Sequence, residues 1–357
     1  MPPGNLPESP VCRSNVATES VVVACASDNG YAMALAATIR SALANLAQDR
    51  RLDLYVLDGG IDEHNKRRLL ASWKDPRLTV QFVQPDMSTL QGLQVSGHIN
   101  ITTYLRLLMP FVLPAHLGRA IYLDADLTVM RDLGELWDLD QGGSPCLAAQ
   151  DVAAPSISAA TLPTFSRCKN YVADLLPIVN YRELGLPADG KYFNAGVLVV
   201  DLELWRRENL AEKMLQVLRE HAEHVRYWDQ YALNVVLAGR WNEIDARWNQ
   251  SAYVHAYPSW RQSPLERETF YQLRDDPWIV HFCSPAKPWH YFCHHPNTQD
   301  FRKHLRETDW RDWSPPVPED YLQKLWKFHF TPVRRFLKGY QMQVRELLNP
   351  AKARKAA

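Results

Sequence analysis

From Ser20 to Val83 short apolar runs alternate with longer segments of mixed polarity. Ser20-Val21-Val22-Val23-Ala24-Cys25-Ala26 is continuous and rich in β-branched residues, which predicts a buried strand, and it ends in the turn-forming Ser27-Asp28-Asn29-Gly30-Tyr31. Tyr31 to about Ala47 predicts a helix carrying Met33, Ala37, Ile39, Leu43 and Leu46. Leu52 to Asp58 reads as a second strand, Asp62 to Trp73 as a second helix, and Leu78 to Val83 as a third strand. Strands alternating with helices through short connections predict a parallel sheet covered on both faces.

Ile101 to Met109 reads as a helix stopped by Pro110, with Tyr104 and Arg106 on an otherwise apolar segment. Ala120 to Leu136, AIYLDADLTVMRDLGEL, opens on the apolar Ile121-Tyr122-Leu123 and places Asp124 and Asp126 on either side of Ala125. It then resumes as Leu127-Thr128-Val129-Met130, so the pattern predicts a buried strand with two acids at its end. Cys146 to Asp151 is strand-like and ends in another carboxylate. Residues 152–190 are rich in Pro, Ser and Ala and lack a clear period, which predicts a long insertion or lid of the kind that usually serves function. Tyr192 to Asp201 is the next strand, with Asn194 and Gly196 at its mouth. Leu202 to His221 is expected to be helical, and Trp228-Asp229-Gln230-Tyr231 opens another helix to about Leu237. Trp241-Asn242-Glu243 and Arg247-Trp248-Asn249 bracket a short extended piece. Pro277 to Phe282 is the last strand and leads into Cys283-Ser284-Pro285-Ala286-Lys287-Pro288-Trp289.

Composition narrows this picture more than it adds to it. The 357 residues suffice for one large α/β domain or two smaller ones, and 40 Lys and Arg balance 40 Asp and Glu, which removes any electrostatic case for nucleic acid. Twelve Trp and fifteen Tyr suit stacking on sugar rings and serve a large core equally well. Six scattered cysteines without a C-x-x-C pair predict reduced thiols in a cytoplasmic setting. Residues 1–18, rich in Pro, Ser and Asn, read as a disordered leader without the charged and apolar regions of a secretion signal. No apolar run approaches the ~20 residues of a membrane span. From Tyr321 onward, nine Lys or Arg and one Glu interleave with Leu, Trp, Phe and Tyr. Such a tail, residues 319–357, suits peripheral contact with an anionic membrane, each cation contributing ~1 kcal/mol; the alternative is a terminal helix with a basic outer face.

The candidate chemistry gathers at strand ends. In an open α/β sheet, groups at the carboxyl ends of the strands share one crevice. Asp124 with Asp126, Asn194 with Gly196, and His281 with Lys287 all occupy such positions. Two carboxylates and an imidazole suit Mn²⁺ or Mg²⁺ with substrate phosphates completing the shell, and Lys287 supplies a further cation for those phosphates. Each residue also has an ordinary explanation: a turn acid or helix cap, a hydrogen-bonded strand-end histidine, a solvated lysine. His281, Cys283, Cys293, His294 and His295 contain the ingredients of a zinc site at spacings that fit no regular pattern. Asp229-Gln230 at a helix start is either a cap or a pair facing a reacting anomeric carbon. No G-x-G-x-x-G follows the first strand and no phosphate-binding lysine loop exists, which argues against dinucleotide oxidoreductases and P-loop kinases.

Six ordered motifs between about Val21 and His290 resemble glycosyltransferase family 8, retaining enzymes of the GT-A fold, and especially its bacterial lipooligosaccharide galactosyltransferase branch. They are CASDNGYA, HINITTYLRLLMP, YLDADLTVMRDLGELWD, YFNAGVLVVDLELWR, WDQYALN and IVHFCSPAKPWH. The resemblance implies an α/β GT-A fold over residues 19–318, with a Rossmann-like, mixed but mostly parallel sheet flanked by helices. It also implies a UDP-hexose donor, with Asp124, Asp126 and His281 holding Mn²⁺. By the same likeness Ala26, Asp28, Asn29 and Tyr31 would hold uracil and ribose, Ala125 and Ala195 would line the donor site, and Lys287 would meet the diphosphate. Arg106, Asp151, Asn194, Asp229 and Gln230 would surround the hexose, with Gln230 on its β face. A saccharide or glycolipid acceptor is implied, whereas galactose against glucose stays open. Ser284 stands where related sequences often have Gly, and residues 152–190 follow no family pattern. A sugar-phosphate nucleotidyltransferase and a non-catalytic sugar-binding descendant are the competing readings.

Overall fold

Val21–Ser27 (β1) is buried at every position and has a strand on each of its edges. The computed structural model, which describes residues 20–95, 101–326 and 328–330, pairs it in parallel with β2 (Leu52–Asp58) on one side and β4 (Arg119–Leu123) on the other. β3 (Leu78–Val83) pairs in parallel with β2 at the sheet edge, and its alternating exposure marks it as an edge strand. β6 (Cys146–Gln150), β7 (Phe193–Asp201) and β8 (Asn242–Glu243) complete a seven-stranded sheet of order β3-β2-β1-β4-β7-β6-β8. Only the β4–β7 and β7–β6 pairs are antiparallel, so the sheet is mixed and mostly parallel, as expected. β5 (Leu127–Val129), β9 (Gln250–Ser251) and β10 (Ile279–His281) form a separate small sheet with β10 in the centre.

Three boundaries differ from the expectation. The acidic stretch is not one strand: β4 stops at Leu123 and β5 starts at Leu127 in the other sheet, so Asp124-Ala125-Asp126 is the crossing between them. Ile101–Leu108 is a 3-10 helix followed by a short α-turn, Met109–Val112, with Pro110 in its first turn. Arg106 Nε donates to the Thr103 carbonyl at 3.2 Å, three residues back, and five successive side chains, Tyr104 to Leu108, are buried. The expected helix Leu202–His221 is two, Leu202–Arg207 and Leu210–Glu220, broken where Asn209 adopts the left-handed region at φ 51°. Residues 152–190 have packing of their own. Val152, Ala159, Cys168 and Val172 bury against Val254, Tyr257, Phe270 and Leu273, and the Tyr257 hydroxyl donates to Val152 O at 2.7 Å. The expected leader and the tail beyond Phe330 lie outside the described residues, as do residues 96–100, which begin part of the HINITTYLRLLMP motif.

A histidine pair behind β10 makes the fold sensitive to acid. The His255 and His295 rings meet edge to face at 4.9 Å, and His295 also packs on Phe282 at 4.7 Å. Burial pushes His255 down to about 4, with the Arg274 charge acting the same way, and burial together with His255 pushes His295 down to about 3. The unfolded chain binds protons near pH 6.5. Between that value and about 4 the unfolded state therefore gains protons that the fold refuses, and stability falls as pH drops. Thermal denaturation from pH 7 to 4.5 is expected to show this decline, and His255→Gln should make it shallower. An unchanged slope in that variant would remove the pair as its cause.

Candidate functional site

The crossing from Leu123 to Leu127 is held from three sides. Asp124 N donates to Gly196 O at 2.8 Å, tying it to β7, and Phe282 N donates to Asp126 O at 3.1 Å, tying it to the end of β10. The helix Ala32–Asn45 supplies the third hold: Leu127 N donates to the Thr38 hydroxyl at 3.1 Å, and Val129 N to Ser41 at 2.8 Å. Thr38 Oγ1 also lies 2.8 Å from Ala125 O. With the backbone gripped at Ala125, both flanking carboxylates are presented toward β10.

His281, the last residue of β10, faces them. Its Nε2 lies 3.6 Å from Asp124 Oδ2 and 3.5 Å from Asp126 Oδ1. Each acid uses its other oxygen elsewhere. Asp124 Oδ1 takes Arg106 at 2.8 Å and the Tyr122 hydroxyl at 3.1 Å, and Asp126 Oδ2 takes Lys287 Nζ at 2.6 Å. Asp124, Asp126 and His281 are the only such metal-competent group among the described residues, with ligand atoms all within 4.8 Å of one another. Two carboxylate oxygens and one imidazole nitrogen suit Mn²⁺ or Mg²⁺ and leave positions for substrate oxygens, so the donor set fits the expected cation. His281, Cys283, Cys293, His294 and His295 form no such cluster; Cys293 Sγ instead meets the Thr298 hydroxyl at 3.4 Å.

Burial tends to raise the Asp126 carboxyl, but Lys287 and His281 outweigh it and hold the group well below the usual carboxylate range. Burial likewise works against the Lys287 ammonium, and Asp126 reverses that, so Lys287 stays charged. Its Nζ also donates to Phe282 O at 2.7 Å. The lysine is thus a buried cation at the edge of the metal-competent group.

The opposite end of the pocket is an amide and carboxylate network. Asp151 Oδ2 accepts from Gln230 Nε2 at 2.9 Å and Asn194 Nδ2 at 3.1 Å, while its Oδ1 accepts from Ala153 N at 2.7 Å. Gln230 Oε1 in turn accepts from Ala195 N at 3.0 Å. Asp229 Oδ1 accepts from the Thr103 hydroxyl at 2.7 Å, and its Oδ2 lies 2.9 Å from Arg106 Nε, whose hydrogen points to Thr103 O instead. Asp229 Oδ2 is therefore buried with no hydrogen-bond donor among the described residues. Burial outweighs the Arg106 charge and pushes this carboxyl up to about 6. Trp228, just before it, holds φ at 46°, a strained value for a bulky side chain beside a ligand pocket.

One cavity of about 330 Å³ joins the two ends. Ala26, Asp28, Tyr31, Ala125 and Ala195 line it, together with Arg106, Asp151, Asn194, Asp229, Gln230, Lys287 and the three metal-competent residues. Asn29 stands apart from the wall: its amide donates to Asp62 at 2.8 Å and accepts from Asn65 at 2.7 Å, fastening β1 to the helix Glu63–Ser72. Ser284 is also off the wall, its hydroxyl donating to Ala286 O at 3.2 Å. Several lining residues were not read from the sequence, among them Tyr122, Thr103, Tyr227 and Tyr253. Tyr122 was accessible to reasoning, since side chains two apart on a strand share a face and Tyr122 precedes Asp124 by two. The tyrosines at 227 and 253 carry no such local signal.

The pattern of glycosyl transferase family 8 matches residues 22–293. General stress protein A of Bacillus subtilis (strain 168) is 32% identical over 299 residues, covering 83% of this chain and 96% of its own. The lipopolysaccharide 1,2-glucosyltransferase of Escherichia coli (strain K12) is 26% identical over 300 residues, covering 84% of this chain and 81% of its own. Among solved structures, the galactosyltransferase LgtC in complex with donor and acceptor sugar analogs matches with a TM-score of 0.66 at 25% identity, over 85% of this chain and 100% of that one.

Proposed function

The chain belongs to glycosyl transferase family 8, and on that premise we propose that it transfers galactose or glucose from a UDP-sugar to a saccharide or glycolipid acceptor, with retention and with Mn²⁺. The observation that carries this reading is the grouping of Asp124, Asp126 and His281 beside Lys287, in one cavity with the Asp151–Asn194–Gln230 network. A cation held by that group would draw off the negative charge that gathers on departing UDP. Lys287 adds a fixed positive charge at the same end, already desolvated and so strongly felt by a diphosphate. Asp229 Oδ2, paired by charge with Arg106 but with no hydrogen-bond donor among the described residues, is an acceptor for a sugar hydroxyl.

The network at the sugar end favours a front-face route, in which the acceptor hydroxyl attacks beside the leaving group. A double displacement needs a nucleophilic side chain able to form a glycosyl bond. Asp151 is occupied by three hydrogen bonds, and Gln230 is an amide bonded at both ends. Both are better suited to stabilising positive charge at the anomeric carbon than to attacking it. The relatives include a glucosyltransferase and a galactosyltransferase, so both hexoses belong to the reading. A panel of UDP-sugars, read out as UDP release with Mn²⁺ and with EDTA, is expected to single out UDP-galactose or UDP-glucose and to lose the signal on chelation. Release of pyrophosphate from UTP and a sugar phosphate, without UDP release, would overturn the reading.

No described helix is long and apolar enough to cross a membrane. Support for peripheral attachment comes from the basic tail and from Leu322, Trp326 and Phe330 at its start, all exposed, with the last two rings stacked at 4.9 Å. Sedimentation with anionic liposomes should fall when residues after Asp320 are removed; equal binding would refute the attachment.

A further inference from the structure

We propose that Asn249 is the positioning residue that sets the tautomer and aim of His281, joining the metal end of the pocket to its sugar end. The inference rests on the reading of Asp124, Asp126 and His281 as a metal site. Asn249, buried at 2% exposure, ends the 3-10 turn Ala246–Asn249 immediately before β9. Its Oδ1 lies 2.9 Å from His281 Nδ1, and its Nδ2 donates to Asn194 Oδ1 at 3.0 Å.

The direction of every bond in this chain follows from one carboxylate. Asp151 only accepts, so the Asn194 atom 3.1 Å from it is the amide nitrogen. Asn194 must then offer its oxygen on the other side, where it accepts from Gly196 N at 3.0 Å and from Asn249. Asn249 consequently turns its nitrogen to Asn194 and its oxygen to His281. An amide oxygen cannot donate, so His281 carries its proton on Nδ1. Nε2, the atom facing Asp124 and Asp126, is thereby the ring nitrogen left to bind a metal. Histidines that ligate metals are commonly fixed in this way by a partner on the second ring nitrogen, and loss of the partner typically lowers affinity 10–100-fold. The same chain runs through Asn194 and Asp151 to Gln230, so whatever orders the sugar end also holds the imidazole.

Leu fills a similar volume but offers no acceptor, whereas Asp keeps an acceptor for His281 and loses the donor to Asn194. Mn²⁺ binding in the presence of UDP, followed by the electron paramagnetic resonance of the free ion, is expected to weaken 10–100-fold in Asn249→Leu. Asn249→Asp should bind at least as tightly as the unaltered protein. In the metal-free unaltered protein, ¹⁵N resonances of labelled histidine should show His281 protonated on Nδ1. Affinity in folded Asn249→Leu within twofold of the unaltered protein would overturn the inference. An unprotonated Nδ1 in the unaltered protein would overturn it too, even if the leucine variant fails to fold. Absence of Mn²⁺ binding by the unaltered protein would overturn the metal reading instead, a result distinct from equal binding by both.

Discussion

Asp126→Asn is expected to lower Mn²⁺-dependent UDP release by ~10³-fold or more and to destabilise the fold at the same time. The two effects have different causes. Charge stabilisation by a metal at the leaving group is worth several kcal/mol, and each 1.36 kcal/mol is about tenfold in rate. Asparagine keeps the shape of the side chain but replaces an anionic ligand with a neutral one. The stability loss comes from Lys287, 7% exposed, whose Nζ would keep the Phe282 carbonyl and a neutral amide oxygen but lose its anionic partner. Removing one member of a buried ion pair costs about 3–5 kcal/mol, because the remaining charge is left uncompensated. Lys287→Met in the same chain should therefore recover much of the lost melting temperature without recovering any activity. Lys287→Met alone should slow transfer while leaving Mn²⁺ affinity in place. Undiminished UDP release by Asp126→Asn would sink the metal assignment. A double variant no more stable than Asp126→Asn would show that the ion pair is not what the substitution breaks.

Why the acidic pair could be read as a site but not as a junction lies in what a linear pattern records. The apolar runs on either side of Asp124-Ala125-Asp126 show that both flanks are buried, and burial is all that periodicity reports. That the flanks belong to two sheets depends on Thr38 and Ser41, nearly ninety positions away, whose hydroxyls occupy the backbone groups of Leu127 and Val129. The parallel half of the main sheet was legible because β1, β2 and β3 follow one another with helices between them. The antiparallel insertion of β7 beside β4 was not, since its partner comes some seventy residues earlier and no local signal marks it. The site residues were read largely through their motifs. Asn249 escaped because a lone asparagine after Trp248 resembles any turn residue, and its role appears only when Asn194 and His281 are both in place. The left-handed Asn209 could have been suspected from its residue type, as asparagine tolerates that conformation, yet the flanking pattern stayed helical through it.

Gly196→Ala is the second substitution expected to have a large effect, and it does so without touching a charge. A Cβ at this position would lie 2.2 Å from His281 Cε1, 2.7 Å from its Nδ1 and 3.0 Å from Asp124 Oδ2. Gly196 is not among the glycines with positive φ, so alanine meets no backbone strain; only the close approach of β7 to the imidazole demands glycine. The clash cannot be relieved by the strand, because Gly196 O accepts from Asp124 N at 2.8 Å and Gly196 N donates to Asn194 Oδ1 at 3.0 Å. His281 must move, and moving it breaks the 2.9 Å contact with Asn249 Oδ1 and carries Nε2 away from the two carboxylates. UDP release should fall ~10²-fold or more, whereas overpacking of this kind typically costs only about 1–3 kcal/mol of stability. Two-variant comparison isolates the cause. In a His281→Ala background the imidazole is gone, the added methyl has room, and Gly196→Ala should lower activity no further. A full additional loss in that background would mean that Gly196 serves the backbone near Asp124 rather than the position of His281.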